Sequence, residues 1–223
     1  MAKFESSVRW LLVAAGLFLS APASADDLAP GLKFDGPYKV VGGKNFLTDY
    51  APLNADGTIN AVIEIPTGTI AKWEVTKPDG VLAWEFKKGK PRRVKYLGYP
   101  GNYGMIPQTL LAKGDGGDGD PLDVIVLGEA VPRGAVVKAR VLGVLKLLDG
   151  GEVDDKIVAV LDTSAMAKSR SPEDLRRQFP GVLEIVKTWF ENYKGPGEIT
   201  SSGYASADEA MDVVRKAQAS FNN

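Results

Sequence analysis

Apolar and polar residues alternate with a period of two through most of residues 61–161 of this 223-residue chain. Such alternation is typical of β-strands that bury one face, and Gly, Pro and Asp turns separate the runs. The pattern predicts six strands: AVIEI (61–65), AKWEV (71–75), VLAWEF (81–86), LDVIVL (122–127), AVVKARVLGVLKLL (135–148) and KIVAVL (156–161). Short strands at this spacing can close into an antiparallel barrel whose polar ends share one mouth.

Helical spacing of apolar residues is found only towards the C-terminus. One predicted helix follows Pro180 and stops at Gly195-Pro196, and a single face of it carries Val182, Ile185, Val186, Trp189, Phe190 and Tyr193. A shorter helix is predicted after Ser171-Pro172, and Ser206 with Glu209 has the spacing of a capping box before a third. We expect a mainly β fold with these helices packed outside the barrel.

The first 25 residues predict an export signal. Lys3 and Arg9 give a positive start, residues 10–19 are apolar, and Ala23-Ser24-Ala25 matches an A-x-A cleavage site. The apolar stretch is half as long as the roughly 20 residues of a membrane-spanning helix, which favours a cleaved signal over a retained anchor. We therefore expect a periplasmic or secreted protein, cleaved near Ala25, in which residues 26–223 form a single domain.

The composition restricts the chemistry, because the chain has 0 His and 0 Cys. It excludes a Ser-His-Asp triad, a thiol nucleophile and a zinc site built from imidazole or thiolate. Any metal must be held by oxygen, which favours Mg²⁺, Mn²⁺ or Ca²⁺. The formal net charge is −1, so the overall charge gives no reason to expect a nucleic acid or, for the mature form, a membrane as partner.

Three acidic residues crowd the stretch GDGDPLDVIVL at residues 117–127. Pro121 biases Asp120 towards an extended backbone, so Asp118 and Asp120 should project in the same direction. The turn after Pro121 can bring Asp123 back to the same point. Converging carboxylates raise one another's pKa unless a cation lies between them. The stretch therefore predicts a site for a divalent cation.

Two other interpretations of this stretch remain open. A solvated acidic turn is the usual outcome for clustered Gly and Asp residues. A calcium loop is the sharper alternative, because Asp118, Asp120 and Glu129 have the spacing of the first, third and last EF-hand positions. However, Leu122 occupies a ligand position, and the predicted flanking elements are strands where an EF-hand has helices.

A second acidic turn, LDGGEVDDK at residues 148–156, lies between two predicted strands. An ordinary hairpin turn would explain it if it stood alone. Two acidic turns at strand ends can, however, share one barrel mouth and form a site for several metal ions. Asp149 and Asp154 would supply carboxylates there, and Lys156 would supply a cation for an anionic substrate.

The motif D-x-D-P-x-D, matched by residues 118–123, resembles that of the soluble family I inorganic pyrophosphatases. The similarity continues in chain order through VIEIP (62–66), AKWEV (71–75), KKGKPRR (87–93), YPGNYG (99–104), GVLKLLDGGEVDDK (143–156) and WFENYK (189–194). The KKGKPRR segment resembles the larger, eukaryotic-type members. Members of the family are dimers or hexamers, so the resemblance implies a homo-oligomer and leaves its size open.

The resemblance implies an OB-like barrel of five antiparallel strands with helices outside. It also implies hydrolysis of pyrophosphate to two phosphates with several Mg²⁺ ions, or Mn²⁺ in their place. Asp118, Asp123 and Asp154 are implied as ligands of the first metal, Asp123 also of a second, and Asp149 with Asp154 of one that arrives with substrate. Glu64 and Glu74 would complete the acidic lining. Asp120 is implied as the general base that, with the metals, activates the attacking water.

The implied phosphate-binding residues are Lys72, Arg92, Tyr103, Lys156, Tyr193 and Lys194. Tyr99 is placed beside them, and Tyr99 and Arg92 are grouped with Asp120 as catalytic. Since Arg93 adjoins Arg92, either arginine could face the phosphates. The alternative from a different functional class is a calcium-stabilised exported binding module that keeps the barrel without turnover.

Overall fold

The computed structural model describes residues 27–223, apart from the side chain of Asp115. The expected signal sequence and its cleavage site lie outside this range. The strands within it are β1 (Lys33–Phe34), β2 (Lys39–Val41), β3 (Ile59–Ile65), β4 (Trp73–Val75), β5 (Leu82–Trp84), β6 (Phe86–Lys87), β7 (Lys90–Pro91), β8 (Asn102–Met105), β9 (Asp123–Leu127), β10 (Val136–Asp149), β11 (Glu152–Val153), β12 (Lys156–Leu161) and β13 (Ile199–Ala205). The helices are α1 (Pro172–Gln178), α2 (Val182–Asn192) and α3 (Ala207–Phe221), with a 3-10 turn at Lys113–Asp115.

Five strands close into a barrel in the order β3, β8, β9, β12, β10 and back to β3. The closing contact pairs Val136 of β10 with Val62 of β3. β11 and β13 extend β10 beyond the ring. The expected five-stranded barrel is therefore confirmed, and it is the long strand β10 that contributes to both its closure and its extension.

The expectation that every strand pair is antiparallel is wrong at one contact, because β9 and β12 run parallel with Ile157 beside Val124. A closed ring with an odd number of strands cannot alternate direction at every contact, so one parallel pair is unavoidable. This pair places the first residues of β9 and β12 at the same end of the barrel. The two acidic segments, which lead into these strands, are brought to one mouth for that reason.

Two of the predicted strands lie outside the ring, and one strand of the ring was not predicted. β4 and β5 belong to a smaller four-stranded sheet ordered β1, β2, β5, β4. The missing barrel strand is β8, which pairs with both β3 and β9. Its sequence contains Gly104, where an added Cβ would come within 1.8 Å of the Val62 carbonyl oxygen. The glycine that reads as a turn signal in YPGNYG instead permits close backbone contact.

The predicted helices are present; Ser206 caps α3 as expected, and Ser171 also caps α1. The Ser171 hydroxyl accepts a hydrogen bond from the Asp174 N–H at 3.1 Å, and the Ser206 hydroxyl accepts one from the Glu209 N–H at 3.2 Å. The apolar face of α2 differs from the predicted face at Ile185, which is 63% exposed. Within residues 27–223, no helix combines the length and the apolar character that crossing a bilayer requires.

The helices pack on the barrel through two apolar clusters. In one, residues of β9 and β12 such as Val124 and Ile157 join Ala210 and Val214 of α3. In the other, the alternate residues of the same strands contact the apolar residues of α1 and α2, including Trp189. Because both faces of these strands are covered, their residues are almost continuously apolar, and the expectation of one buried face is wrong for β12, in which all six residues are buried.

Candidate active site

A cavity of about 230 Å³ opens at the barrel mouth where β9 and β12 begin. Seven carboxylates and four cationic side chains line it together with two tyrosines: Glu64, Glu74, Asp118, Asp120, Asp123, Asp149, Asp154, Lys72, Arg92, Lys156, Lys194, Tyr103 and Tyr193. Every residue of the predicted site except Tyr99 therefore lines this cavity. Tyr99 is 2% exposed and lies behind the lining, with its ring centroid 5.0 Å from that of Tyr103. The individual catalytic and binding roles stay predictions.

Lys156 lies between two of the predicted metal ligands. Its Nζ donates to Asp123 Oδ2 at 2.6 Å and also to Asp154 Oδ1. Burial opposes the charge of Lys156, but Asp123 and Asp154 raise its pKa above the ordinary value. Burial in turn raises the pKa of Asp154; Lys156 opposes this shift and Asp123 adds to it. The ammonium group is therefore a fixed positive charge in the cavity wall.

Lys72, the residue before β4, and Glu74 within it form an ion pair, as their same-face spacing predicts. Lys72 also lies 3.6 Å from the carboxylate of Glu85. Burial opposes the charged form of Lys72, but Tyr99 and Glu74 raise its pKa above the usual range. Lys72 therefore supplies a second cation to the cavity lining.

The hairpin formed by β6 and β7 positions Arg92 and settles which arginine faces the cavity. Arg92 lines the cavity, whereas Arg93 is exposed and lies over the ring of Trp84, 4.8 Å from its centroid. The Arg92 Nη1 donates to both carboxylate oxygens of Glu85 at 2.8 Å. Burial raises the pKa of Glu85, but the Arg92 hydrogen bond and Lys72 outweigh it and leave the pKa lowered.

Glu85 is a site residue that the sequence analysis missed. A local signal for it exists, because a two-residue turn at Lys88-Gly89 pairs Lys87 with Lys90 and Phe86 with Pro91. The next pair outward is Glu85 with Arg92, whose backbone N–H donates to the Glu85 carbonyl at 2.7 Å. Predicting the hairpin from its Lys-Gly turn would therefore have placed the carboxylate beside the guanidinium.

The acidic loop before β9 is held in shape by hydrogen bonds. Asp118 Oδ1 accepts from the Asp120 N–H at 2.8 Å, and the Leu122 N–H donates to Thr109 Oγ1 at 2.9 Å. Lys77 donates to the Gly119 carbonyl at 2.6 Å and also to Asp120 Oδ1. Lys77 was not predicted, and no local pattern could have revealed it, because 43 residues separate it from Asp120.

Aromatic side chains support the remaining wall. The Tyr193 ring is stacked on Trp189 with centroids 4.6 Å apart, and Trp189 contacts Tyr99 at 4.3 Å. Burial raises the pKa of Tyr99, Tyr103 and Tyr193 above the usual value, so their hydroxyls remain hydrogen-bond donors. Next to Tyr193, Lys194 pairs with Asp149 at the end of β10.

Glu64 is the most deeply buried carboxylate of the cavity, at 5% exposure. Its Oε1 accepts a hydrogen bond from the Val75 N–H at 2.6 Å. Burial raises its pKa to about 8; the Val75 N–H opposes this shift, and the charge of Asp123 adds to it. A cation placed nearby would favour the ionised form.

The donor set fits oxygen-preferring divalent cations, since all seven acidic residues of the lining present carboxylate oxygens. Among residues 27–223, however, no three acidic side chains already meet at one point that could hold a metal ion. Lysines lie between the carboxylates instead: Lys156 pairs with both Asp123 and Asp154 and Lys72 with Glu74 and Glu85, while Lys77 pairs with Asp120 and Lys194 with Asp149. Asp118, Asp123 and Asp154 do share one cavity, which the prediction of a metal site requires.

Comparison with known proteins gives concordant matches. The family model for inorganic pyrophosphatase matches residues 61–222. An inorganic pyrophosphatase from Kluyveromyces lactis is 39% identical over 189 residues, which cover 74% of this chain and 66% of the relative. The chain spans about two thirds of the length of the curated relatives it matches.

Solved structures show the same fold. The type I inorganic pyrophosphatase from Toxoplasma gondii superposes with a TM-score of 0.79 at 28% identity, covering 86% of this chain and 97% of that one. The Helicobacter pylori inorganic pyrophosphatase gives a TM-score of 0.66 at 30% identity, covering 78% of this chain and 99% of that one. The mainly β barrel with flanking helices is therefore shared with enzymes of this name.

Proposed function

This chain belongs to the inorganic pyrophosphatase family, and on that premise we propose that it hydrolyses inorganic pyrophosphate to two phosphates. The observation that carries the proposal is the single cavity in which seven carboxylates face four cations. Pyrophosphate is a compact polyanion, so its phosphorus is attacked only after its oxygens are neutralised. The cavity combines fixed cations with oxygen ligands for metal ions, which that neutralisation requires.

The carboxylates would hold Mg²⁺ ions, or Mn²⁺ in their place. The residues we assign to this task are Asp118, Asp123, Asp154, Asp149, Glu74 and Glu64. When bound, such ions neutralise phosphate oxygens and lower the pKa of the attacking water. Glu64 contributes a carboxylate whose ionised form is disfavoured by burial, so its deprotonation is coupled to metal binding.

The cationic side chains bind the substrate. Lys72, Arg92, Lys156 and Lys194 come from separate elements of the fold and line the cavity together, so they can contact both phosphates of one pyrophosphate. Tyr103 and Tyr193 add hydroxyl donors to phosphate oxygens. Tyr99 supports Tyr103 and Trp189 from behind and contributes to the electrostatics of Lys72.

Asp120 is the general base that accepts a proton from the attacking water. Its side chain is 57% exposed, so water reaches it. Lys77 and the turn made by Asp118 fix its position at the cavity rim. Because a carboxylate takes the proton and water is the nucleophile, the reaction needs neither histidine nor a covalent intermediate.

Release of phosphate from pyrophosphate by the purified full-length chain tests the proposal. We expect turnover with Mg²⁺ and its loss on addition of a chelator. A calcium-stabilised binding module would bind metal without releasing phosphate in Mg²⁺ or Mn²⁺, and that result would refute the proposed hydrolysis.

Export and homo-oligomerisation are further parts of the proposal. Export rests on the charged start, apolar stretch and A-x-A site of residues 1–25. N-terminal sequencing of protein from the periplasm or medium should find cleavage near Ala25.

Homo-oligomerisation is supported by Leu97 and Ile185, which are 73% and 63% exposed and line one surface depression with Tyr96 and Trp189. Exposed apolar patches of this kind mark protein contacts.

A further inference from the structure

The adjacent aspartates Asp154 and Asp155 face different parts of the molecule. Asp154 lines the candidate active-site cavity, where it pairs with Lys156. Asp155 lines another cavity, of about 150 Å³, together with Val213 and Ala217 of α3. Asp155 is only 8% exposed, and burial of a carboxylate is costly unless hydrogen bonds or a cation compensate it. The partners of Asp155 therefore indicate what it does.

The first partner of Asp155 is the backbone of β10. The register of β10 with β11 and β12 places Asp154 opposite Leu147, and the Asp154 N–H donates to the Leu147 carbonyl at 3.0 Å. A regular antiparallel pair would return a bond from the Leu147 N–H to the Asp154 carbonyl. That N–H donates to Asp155 Oδ1 at 3.1 Å. The Asp155 side chain therefore supplies the acceptor that completes this strand pairing.

The second partner of Asp155 is Lys146, the residue of β10 that faces it in the same register. Lys146 Nζ donates to Asp155 Oδ2 at 2.9 Å and lies 3.3 Å from a carboxylate oxygen of Glu209 in α3. Hydrogen bonds that involve a charged group are the stronger kind. Since both oxygens of Asp155 are engaged, the carboxylate cannot turn away without breaking a bond.

We propose that Asp155 is a positioning residue that holds Asp154 at the cavity. Asp155 acts from the side of α3, by tying the segment before β12 to β10 next to Asp154. The inference rests on the proposed function, because the role of Asp154 as a metal ligand is part of that proposal. Replacing a residue that orients a metal ligand lowers metal affinity by about 10- to 100-fold. Asp155 should therefore affect the affinity for Mg²⁺ without binding the ion itself.

Asp162 provides a matched control for Asp155. It follows β12 at the end away from Lys156, and its carboxylate accepts from Arg140 of β10 at 3.0 Å. Asp155 and Asp162 thus each join the same two strands through a cation of β10. Only Asp155 lies next to a residue of the candidate site, so a general loss of strand pairing and a loss of positioning can be told apart.

Isothermal titration calorimetry of the purified full-length chain with Mg²⁺ tests the inference. Asp155→Ala should weaken Mg²⁺ binding about 10-fold, and Asp162→Ala should bind Mg²⁺ as the unaltered chain does. Asp155→Asn keeps an oxygen acceptor for the Leu147 N–H and should regain most of the lost affinity. Thermal unfolding in a chelator checks that each variant is folded at the titration temperature. Asp155→Leu keeps the size of the side chain without an acceptor and repeats the test if Asp155→Ala does not fold.

The outcomes separate this inference from the proposed hydrolysis. Equal Mg²⁺ affinity in the folded variant without an acceptor and in the unaltered chain would overturn the positioning role, even if pyrophosphate is hydrolysed. A loss in Asp155→Asn as large as in Asp155→Ala would also overturn it, because the effect would then belong to the charge. Mg²⁺ binding that depends on Asp155, in a chain that releases no phosphate, would refute the hydrolysis and support the positioning role.

Discussion

The guanidinium of Arg92 donates through one nitrogen to both carboxylate oxygens of Glu85 at 2.8 Å. The pair closes the base of the hairpin that β6 and β7 form, and it holds Arg92 on the cavity lining. Arg92 keeps its donors on the other nitrogens for a phosphate. Glu85 is therefore a positioning residue for Arg92, which we propose binds the substrate.

Replacing Glu85 by Gln should lower kcat/KM for pyrophosphate about 10-fold, because a charge-assisted hydrogen bond that orients Arg92 is weakened. The double variant with Arg92→Lys should lose less than the sum of the two single effects, since the residues act as a pair. Steady-state kinetics measure both. Glu173→Gln, an exposed change on α1, serves as control; additive losses would show that Glu85 does not act through Arg92.

Asp120→Asn should lower kcat by about 10²-fold or more, the usual scale for a general base. The amide keeps the shape of the side chain and its contact with Lys77, so we expect an unchanged melting temperature. Asp208→Asn, at the exposed start of α3, is the matched control. Normal turnover by Asp120→Asn would assign the base to another residue.

Mg²⁺ should stabilise the chain against thermal unfolding. A ligand at 100 times its Kd adds about 2.7 kcal/mol to the free energy of unfolding. Asp123→Asn and Asp154→Asn should each reduce this gain, because both remove a predicted metal ligand. Thermal unfolding with and without Mg²⁺ gives the measurement, and a gain equal in variants and unaltered chain would place the ions elsewhere.

Glu64 should make the metal-free chain less stable as the pH rises. Its pKa is 4.5 as a reference value and about 8 in the fold. Between these values the folded state holds one more proton than the unfolded state, so the free energy of unfolding falls with pH by at most about 1.4 kcal/mol per unit. Above about pH 8 this contribution is constant.

Glu64→Gln should remove that component of the slope and retain the hydrogen bond from the Val75 N–H. Denaturant unfolding in a chelator between about pH 5 and pH 9 compares the two chains. The same slope in both would mean that Glu64 is ionised throughout. With Mg²⁺ present the slope of the unaltered chain should shrink, since the metal favours the carboxylate.

Ile185→Asp should dissociate the proposed homo-oligomer, because it places a charge in the exposed apolar patch of α2 and the 96–97 segment. Light scattering after gel filtration reports the mass. Ile185 is 63% exposed in the single chain, so the substitution should leave folding of the monomer intact. Glu184→Asp nearby is the conservative control; an unchanged mass for Ile185→Asp would place any interface elsewhere.

Local sequence patterns predicted the helices and most barrel strands, because the residues that signal these elements lie within or directly beside them. Ser171 and Ser206 mark helix starts through contacts three residues away. Apolar runs bounded by turn residues located β3, β9, β10 and β12, although these strands are buried on both faces rather than on the one face that alternation predicts. β8 was missed because Gly104 meets a partner strand that is distant along the chain, and such a contact leaves no local pattern.

The sequence by itself determined which chemistry is available: carboxylates and cations in fixed order, no histidine or cysteine, and strands long enough to close a barrel. Only the tertiary structure decided that Arg92 and not Arg93 faces the cavity, and that Lys77 and Glu85 belong to the site. It also decided that both acidic turns share a mouth, because the one parallel contact of the ring lies between β9 and β12. These outcomes depend on contacts between residues far apart in the chain, whose geometry is fixed only when the barrel closes.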